Sequence, residues 1–247
     1  MAADSRAARP LQKMFSEVPA TYDLINRLFT LRLDQAWRKI AAKECMRENP
    51  RLVLDLCTGT GDLALSMAGQ ARPGMHIAAV DFSLPMLLEG RLKFVAPGQR
   101  VGFVLGDVGK LPFREGSFDA IGIAFAFRNL VYKNRERDKY LSEILRVLSP
   151  GGKLVIVETS RPRSPLVRLL FHWYMRTAVS FLAGLISGRG AAYKYLAHSA
   201  INFYSSGDLS DLLESAGFRR VQYRTFLFGV CALHLAYREG PGNMENS

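Results

Sequence analysis

The segment that most constrains the fold is an apolar strand that runs directly into a glycine-containing turn. Residues 52–56 are apolar apart from Asp55, and residues 57–61 read Cys-Thr-Gly-Thr-Gly before a helical pattern of apolar residues begins. A parallel sheet uses this arrangement to bring backbone N–H groups against a nucleotide-like ligand. Gly59 and Gly61 permit that close approach because they have no Cβ. The segment predicts an α/β nucleotide-binding fold.

A second acid supports a cofactor site rather than a chance pair of glycines. Asp81 lies 20 residues after Gly61 and ends the apolar run at residues 76–80. An acid at this spacing accepts hydrogen bonds from ribose hydroxyls. Asp55 is expected to orient the loop or to receive an amino group of the ligand, and Thr60 to offer its N–H or hydroxyl. At this point the ligand could be NAD or S-adenosylmethionine.

The rest of the chain alternates between strand and helix patterns. Near-continuous apolar strands of this kind predict a parallel sheet that is covered on both faces. Residues 149–152, Ser-Pro-Gly-Gly, predict a sharp helix stop and a turn. The predicted strands are 52–56, 76–80, 101–105, 118–124 and 153–158, and the predicted helices are 62–68, 84–93 and 135–148.

The end of the chain favours S-adenosylmethionine over a dinucleotide. Two apolar runs, 221–228 and 230–237, are hinged at Gly229 and predict an antiparallel hairpin that closes the sheet. A dinucleotide fold would instead need a second mononucleotide-binding half. Asp107, just past the third strand in Gly106-Asp107-Val108, can accept the amino group of an adenine.

Several motifs together are more specific than the glycine turn alone. They are Tyr-Asp-Leu-Ile-Asn at 22–26, Asp-Leu-Cys-Thr-Gly-Thr-Gly-Asp at 55–62, Ala-Phe-Arg-Asn at 126–129 and Tyr-Lys-Tyr-Leu at 193–196. With them, the chain resembles class I S-adenosylmethionine methyltransferases, and among these the ubiquinone/menaquinone biosynthesis C-methyltransferase family. The resemblance covers nearly everything from Phe15 to Tyr237.

The resemblance implies a Rossmann-like α/β fold of class I methyltransferases. Its mostly parallel seven-stranded sheet would end in an antiparallel hairpin, with added N-terminal and lid helices. It also implies S-adenosylmethionine as cofactor, with no metal. The expected cofactor-binding residues are Asp55, Gly59, Thr60, Gly61, Asp81, Phe82, Asp107, Val108 and Ala124. Ala124 stands where some members have Ser, so a hydroxyl contact there is lost.

The implied reaction is C-methylation of a prenylated demethylquinol, with 2-demethylmenaquinol favoured. A ubiquinone precursor, another lipid or small molecule, and a non-enzymatic cofactor-binding regulator are the alternatives. Arg128 and Asn129 follow the fourth strand, at the edge of the sheet where ligands bind. Arg128 could stabilise the anion on a quinol oxygen, or form a structural ion pair. Tyr22, Tyr195 and His198 are further candidates for holding the quinol.

The charge is high and unevenly placed. The formal net charge is +11, and no acidic residue lies between Glu158 and Asp208. Residues 166–186 within this segment are the most apolar helix-like stretch. A basic, apolar, aromatic helix is typical of an anionic membrane surface, although a buried lid helix has the same pattern. The charge-free run of 12 residues at 177–188 is too short for a span, which needs about 20 residues. Nucleic acid is disfavoured because the basic residues alternate with apolar ones.

The organisation expected from these patterns has five parts. These are an N-terminal helical cap (1–49), the cofactor-binding core (50–160), a basic apolar lid or membrane-facing insertion (161–205), a C-terminal helix with the closing hairpin (206–238), and a disordered tail (239–247). Three cysteines without paired spacing argue against a disulfide framework and a zinc site. We expect a cytoplasmic enzyme associated peripherally with the inner face of the membrane. The sequence leaves open whether it forms a homo-oligomer.

Overall fold

The computed structural model describes residues 23–24, 26–27, 30–94, 101–185 and 198–240, with backbone only for 178–185. Most of the predicted N-terminal cap and the tail from 241 onward lie outside these ranges, as do Tyr22 and Tyr195. Seven strands and seven α-helices are described, and we number both in chain order.

The helices and strands follow the predicted alternation closely. The helices are α1 (Leu33–Cys45), α2 (Asp62–Ala68), α3 (Leu84–Arg91), α4 (Phe127–Val131), α5 (Arg137–Val147), α6 (Pro165–Leu185) and α7 (Ser206–Ser215). The strands are β1 (Leu52–Leu56), β2 (His76–Asp81), β3 (Val101–Leu105), β4 (Phe118–Ala124), β5 (Leu148–Thr159), β6 (Arg219–Phe226) and β7 (Cys231–Tyr237).

The strands form one sheet in the order β3-β2-β1-β4-β5-β7-β6. Strands β1 to β5 pair in parallel, whereas β7 lies antiparallel between β5 and β6. The predicted mostly parallel seven-stranded sheet with a closing hairpin is confirmed. The strand order reverses between β1 and β4, and ligands bind outside the carboxyl ends of the strands at such a switch point.

Two local predictions are corrected. Residues 149–152 belong to the first part of β5, which begins at Leu148 and not at the predicted residue 153. Leu148 pairs with Phe118 and Lys153 with Ala120, so the intervening residues bulge out of the ladder, with Gly151 at φ 78°. The hairpin is joined by a 3₁₀ turn at Leu227–Gly229 and not by a single glycine. Such a bulge consists of extra residues inserted in one strand, after which the strand resumes its pairing with its neighbour.

The sheet is buried on both faces because successive side chains of its central strands point to opposite sides. One face packs against α5 and α7, with Leu54, Ile121 and Leu154 in the core. The other face packs against α1 and α2, with Val53 and Val155 among its members. The near-continuous apolar strands of the sequence are explained by this two-sided cover.

Helix α6 has two apolar sides. Phe171 and Met175 are buried against Ala200, whereas Leu166, Leu169, Leu170 and Trp173 are exposed. The exposed residues recur at positions i, i+3, i+4 and i+7, so they form one outward stripe. Among the helices of the described ranges, none has the length and apolar character needed to cross a membrane.

Candidate active site

The loop after β1 is held in shape by the carboxylate of Asp55. Asp55 is buried, and its Oδ2 accepts hydrogen bonds from Thr58 Oγ1 at 2.5 Å and from the Ala64 N–H at 2.8 Å. Burial raises the pKa of Asp55 to about 7, against the opposing effect of these two hydrogen bonds. Both bonds stay within the loop and the first turn of α2. Asp55 therefore orients the loop, which is one of the two roles expected for it.

Asp81 connects the loop to the end of β2. One oxygen accepts from the Gly59 N–H at 2.8 Å and the other from the Ser83 N–H at 2.9 Å. Asp81 is only 7% exposed, and burial raises its pKa against the effect of these backbone donors. A carboxylate oxygen has capacity for further hydrogen bonds, so Asp81 can also accept from ligand hydroxyls.

The glycines leave room beside this carboxylate. Gly59 has φ 55° and Gly61 has φ 78°, both in the left-handed region. A Cβ placed on Gly59 would meet no atom within 4 Å, so the space in front of its backbone is open. A Cβ on Gly61 would come within 3.2 Å of the Phe94 ring. The two glycines thus serve different purposes: one leaves space for a ligand and the other permits close packing.

Thr60 lies in a polar network with the N-terminal segment. Its hydroxyl donates to Asp23 Oδ1 at 2.6 Å, and Lys93 Nζ donates to that hydroxyl at 3.0 Å. Lys93 also pairs with Asp23 and with Asp62 at 2.5 Å each. Asp23, Thr60 and Asp62 line a polar cleft of about 20 Å³ beside the loop. A cleft of this volume holds no more than a few atoms, so it accommodates only one end of a larger ligand.

The other predicted cofactor residues lie along the same edge of the sheet. Ala124 lines the polar cleft at the end of β4. Phe82 directly follows Asp81 and is half-buried. Asp107 is exposed and caps its own turn by accepting from the Gly109 N–H at 2.6 Å, whereas Val108 is buried. The strand ends therefore bring Asp81, the glycines, Asp107 and Ala124 to one edge of the sheet.

A second, much larger cavity opens next to the polar cleft. Its volume is about 500 Å³, and its wall is mostly apolar, formed by α1, α6, the end of β4 and the hairpin turn. The charged side chains in that wall, among the described ones, are Asp34, Arg38 and Arg128. The apolar wall includes Trp37, Phe125, Leu170, Phe171, Met175 and Phe228.

Arg128 lines this cavity from α4 with a partner that the sequence did not reveal. Its Nη1 lies 2.7 Å from Glu158 Oε1, its backbone N–H donates to Glu158 Oε2 at 3.2 Å, and its Nε donates to Ser199 Oγ at 3.2 Å. Arg128 and Glu158 are both buried. The structural ion pair that the sequence left open is therefore present, and it lies within the wall of the cavity. Glu158 was detectable as the acid that ends the apolar part of β5.

The remaining predicted substrate residues are placed less centrally. Asn129 is half-buried on α4 outside the cavity wall, and its Oδ1 has no hydrogen-bond partner among the residues that the structure covers. His198 is exposed, with Nδ1 3.3 Å from the Asn202 amide, and does not line the cavity. Tyr22 and Tyr195 lie outside the described ranges. None of these roles is tested by the geometry.

Two residues that the sequence reasoning missed lie where the cleft and the cavity meet. Arg38 contributes to the walls of both, and Asp34 to the wall of the cavity. They form an i,i+4 ion pair of 3.6 Å on α1, with Arg38 only 8% and Asp34 only 1% exposed. The signal was present in the sequence, because Asp34 and Arg38 share the face of α1 that carries Trp37 and Ala41.

The site holds no activated thiol. Cys57 lies in the loop, and burial raises the pKa of its thiol well above the ordinary value, so it stays protonated at neutral pH. No group of three or more histidines, cysteines or acids with metal-binding geometry occurs in the part of the chain that the structure describes.

The residues present fit the methyl donor that the sequence resemblance implies. The buried Asp81 carboxylate stands beside the open space at Gly59, and both adjoin a loop at the switch point of the sheet. This combination suits a ribose with an amino-acid chain running past the loop. The apolar cavity beyond suits a hydrophobic acceptor.

Comparisons with known proteins agree with this geometry. Residues 2–238 match the family model described as the ubiE/COQ5 methyltransferase family. A demethylmenaquinone methyltransferase of Thermus thermophilus is 42% identical over 91% of this chain and 100% of its own length. A ubiquinone/menaquinone biosynthesis C-methyltransferase, UbiE, of Geobacter sulfurreducens is 40% identical over 91% of this chain and 86% of its own length.

Solved structures show the same fold at lower identity. The crystal structure of a SAM-dependent methyltransferase from Aquifex aeolicus superposes with a TM-score of 0.59 and 21% identity. The superposition covers 86% of this chain and 97% of that one. At this level of identity the likeness supports the Rossmann-like methyltransferase fold alone.

Proposed function

The chain belongs to the ubiE/COQ5 methyltransferase family, and on that basis we propose that it methylates a ring carbon of a prenylated demethylquinol, with 2-demethylmenaquinol as the preferred substrate. S-adenosylmethionine is the methyl donor. The observation that carries the proposal is the pairing of two spaces, a polar cleft at the glycine loop and an apolar cavity of about 500 Å³ that share Arg38. The first can take one polar end of the donor, and the second suits a quinol head group.

Bound S-adenosylmethionine supplies an electrophilic methyl group on a sulfonium. The chemical difficulty is on the acceptor side, because an aromatic carbon is a weak nucleophile until a neighbouring hydroxyl loses its proton. The ring carbon then gains the methyl group and loses its hydrogen as a proton. The protein's tasks are to hold the two partners in line, to exclude water and to stabilise the developing oxyanion.

The Arg128–Glu158 pair is placed for the last of these tasks. It lies in the cavity wall with its guanidinium oriented by Glu158 at 2.7 Å, by Ser199 and by the Phe125 carbonyl at 3.2 Å. A guanidinium fixed in this way needs little rearrangement to donate to an oxygen that becomes negative. Glu158 offsets the charge, so the pair acts as an oriented hydrogen-bond donor and not as an isolated cation.

Water exclusion follows from the wall of the cavity. Trp37, Phe125, Phe171 and Met175 are buried around it, and Phe125 lies next to the end of β4 where the polar cleft begins. A dry wall strengthens every electrostatic contact with the reacting oxygen. The head group would therefore react against a mostly apolar wall in which Arg128 is one of few charged groups.

We extend the proposal to an anionic membrane surface as the place of action. The exposed stripe of α6 and the hairpin turn, with Phe228 84% exposed, stand at the same cavity, since Leu170, Leu227 and Phe228 line it. Arg161, Arg163, Arg168 and Arg176 lie in the same stretch of sequence, which contains no acid between Glu158 and Asp208, and Arg161 pairs with Asp208 at 2.9 Å. A prenyl tail that stays in the bilayer could then deliver its head group directly, with the enzyme docked at the inner face.

The experiment measures methyl transfer from labelled S-adenosylmethionine to two reduced acceptors in detergent. One is demethylmenaquinol, and the other is a ubiquinol precursor that lacks its ring methyl. Label in the naphthoquinol alone supports the preferred substrate, and label in both indicates a dual enzyme. No label in either, with donor binding verified by calorimetry, would leave a methyltransferase of another substrate.

A further inference from the structure

Arg38 is a buried cation whose hydrogen-bonding capacity is unused. It is 8% exposed and lines both the polar cleft and the apolar cavity. Its guanidinium makes no hydrogen bond to any residue that the structure describes, and its Nε is fully buried without a hydrogen-bond partner. A guanidinium has five N–H donors, and leaving buried donors unpaired costs free energy. A buried guanidinium with unpaired N–H donors is suited to bind an acceptor group of a ligand.

The position of Arg38 is nevertheless well fixed. Asp34 Oδ2 lies 3.6 Å from its Nε, too far for a hydrogen bond but close enough for an ion pair. Asp34 is held in turn by Thr30 Oγ1 at 2.7 Å. The guanidinium carbon lies 5.0 Å from the centre of the Phe125 ring, within the range of a cation–π contact. These contacts orient the guanidinium without occupying its donors.

The charge of the cleft indicates which ligand Arg38 would meet. Among the described residues of its wall, Asp23 and Asp62 are acidic and Arg38 is the one basic side chain. Burial acts to raise the pKa of Asp62, but Arg38 and Lys93 outweigh it and the pKa lies below its ordinary value. Arg38 is therefore the side chain of that wall that can pair with an anion. The methionyl end of S-adenosylmethionine combines an ammonium and a sulfonium with a single carboxylate, and the carboxylate needs a cationic partner.

We propose that Arg38 is the residue that binds the carboxylate of the methionyl end of S-adenosylmethionine. The proposal rests on the proposed donor and deepens it by assigning a contact to its amino-acid end. The wall around Arg38 supports this end of the donor, because it contains Cys57, Thr58 and Gly59 from the loop and Ala124 from the end of β4. Asp81 and Asp107, the expected ribose and adenine contacts, are not in that wall.

A planar guanidinium matches a carboxylate with two parallel N–H···O bonds. Asp34 then acts as a positioning residue, because its ion pair with Arg38 orients the planar guanidinium relative to α1. Because Arg38 also borders the apolar cavity, the carboxylate would bind at the boundary between the cleft and the cavity, between Arg38 and the rest of the donor. This arrangement separates the guanidinium charge from the sulfonium, which it would otherwise repel.

The test compares two ligands by calorimetry, S-adenosylhomocysteine and its analogue without the carboxylate. In the Arg38→Gln variant, S-adenosylhomocysteine should bind about 10- to 100-fold more weakly, as expected for the loss of hydrogen bonds to a charged group. The decarboxylated analogue should bind the variant no more weakly than the unaltered protein, because it lacks the carboxylate and its ammonium no longer lies near a cationic guanidinium.

Two further variants make the result specific. Arg47→Gln removes an exposed arginine just beyond the same helix, outside both cavity walls, and should change neither affinity. Arg38→Lys keeps the charge but not the planar guanidinium. It should therefore weaken the binding of S-adenosylhomocysteine by less than Arg38→Gln does, and it should leave the affinity for the analogue unchanged. It also provides the measurement if Arg38→Gln does not fold.

Three outcomes would overturn the proposal. Equal weakening of both ligands would mean that Arg38 only shapes the cleft. Unchanged binding of both would mean that it contacts neither. Unchanged binding together with a lowered kcat and an altered pH profile would assign its donors to the quinol oxygen. If the unaltered protein failed to bind S-adenosylhomocysteine at all, the proposed donor itself would be wrong.

Discussion

At the scale of the residue, the acids at the strand ends have separate tasks that follow from their partners. Asp55 accepts from Thr58 and Ala64 and so stabilises the loop from below. Asp81 accepts from Gly59 and Ser83 and adjoins the open space at Gly59. Both acids therefore support the loop, Asp55 from within its first turn and Asp81 from the end of β2 beside the open space at Gly59.

The raised pKa of Asp55 predicts a particular pH dependence of stability. Its pKa is about 7 in the fold, against an ordinary value of 3.8, because it is buried. Between these values the folded state holds the proton more tightly than the unfolded state, so stability falls as pH rises. Relative to Asp55→Asn, the unfolding free energy should fall from about pH 4 to pH 7, by up to about 1.4 kcal/mol per pH unit.

Urea unfolding of both proteins across that range measures the difference. Asn does not titrate, so the stability of the variant should not show this slope, and its amide oxygen can still accept a hydrogen bond in the loop. An exposed acid, Asp211, provides the control through Asp211→Asn. Parallel curves for Asp55→Asn and the unaltered protein would show that Asp55 is ionised in the fold at low pH.

Removing the Asp81 carboxylate charge should weaken donor binding. An Asp81→Asn side chain keeps its shape and can accept from one backbone N–H, but it offers a ribose a weaker acceptor. We expect the affinity for S-adenosylhomocysteine to fall by at least about 10-fold, because a charge-assisted hydrogen bond is lost. Calorimetry with Asp211→Asn alongside makes the comparison. Equal affinity in Asp81→Asn would remove this residue from the donor site.

The sequence predicted some site residues and concealed others for a physical reason. Gly59, Gly61 and Asp81 lie within a few residues of strand ends, so pattern alone located them. Arg38 and Glu158 acquire their roles through neighbours distant in sequence, since Glu158 on β5 meets Arg128 on α4. Arg38 could have been found from its place on the apolar face of α1, where a charge is unusual.

At the scale of the element, the central strand β4 is packed tightly beneath α1 and α2. A Cβ on Gly122 would lie 2.5 Å from Met67 Cε, 2.9 Å from Cys45 Sγ and 3.0 Å from Leu63 Cδ2. These atoms come from both helices, so the glycine sets how closely they approach the sheet. Since Arg38 is on α1 and the loop precedes α2, this packing also sets the cleft.

Gly122→Ala should therefore destabilise the fold by about 1–3 kcal/mol, the usual cost of overpacking a core. Gly69→Ala is the matched control, because Gly69 lies at the exposed end of α2 with φ −68° and a Cβ there meets nothing closer than 3.7 Å. That control should be neutral or slightly stabilising. Thermal and urea unfolding distinguish the two, and an equally stable Gly122→Ala would contradict the packing described.

The hairpin turn between β6 and β7 presents a phenylalanine at a conformational cost. Phe228 is 84% exposed with φ 54°, and the preceding Leu227 has φ 46°. Side chains other than glycine are strained there by roughly 1 kcal/mol or more. An exposed aromatic residue kept in a strained turn at the mouth of the cavity suits contact with a membrane.

Phe228→Gly should separate the backbone strain of the turn from its contact with a membrane. The fold should be unchanged or more stable, because glycine adopts positive φ without strain and little burial is lost. Binding to anionic liposomes should weaken by about 10-fold, since a buried Phe contributes about 1.5–3 kcal/mol. Flotation assays with Leu88→Ala, an equally apolar exposed site on α3, give the control. Liposome binding that survives Phe228→Gly would exclude the turn from the contact.

The predictability of the elements depended on length and burial. Strands β1 to β4 were placed within a residue because both faces are buried and the apolar runs are continuous. Helix α4 was not foreseen, because five residues carry no periodicity. The bulge in β5 was read as a turn, since Pro-Gly-Gly has the same composition in both. Local patterns could not reveal that pairing resumes afterwards.

At the scale of the whole molecule, apolar exposure and one-signed charge coincide. The exposed stripe of α6 lies within the stretch from 159 to 207 that has no acid, in a chain of net charge +11. An attraction to anionic lipid built in this way depends on ionic strength. Raising salt from about 0.1 M to 1 M shortens the Debye length from about 10 Å to 3 Å.

We therefore expect binding to anionic vesicles to weaken steeply over that range of salt, while the residual apolar binding to neutral vesicles changes little. Flotation with vesicles of each composition at a series of salt concentrations measures both. Salt-independent binding to anionic vesicles would mean that the basic residues do not face the lipid.

The central claim is that the chain transfers a methyl group to a ring carbon of a quinol, and the position of the transferred methyl tests it most directly. The reaction is run with methyl-deuterated S-adenosylmethionine and reduced demethylmenaquinol, and the product is examined by mass spectrometry and NMR. The account predicts a deuterated methyl on the ring carbon with loss of the ring hydrogen. A deuterated methyl ether on a ring oxygen, or no transfer despite donor binding, would contradict it.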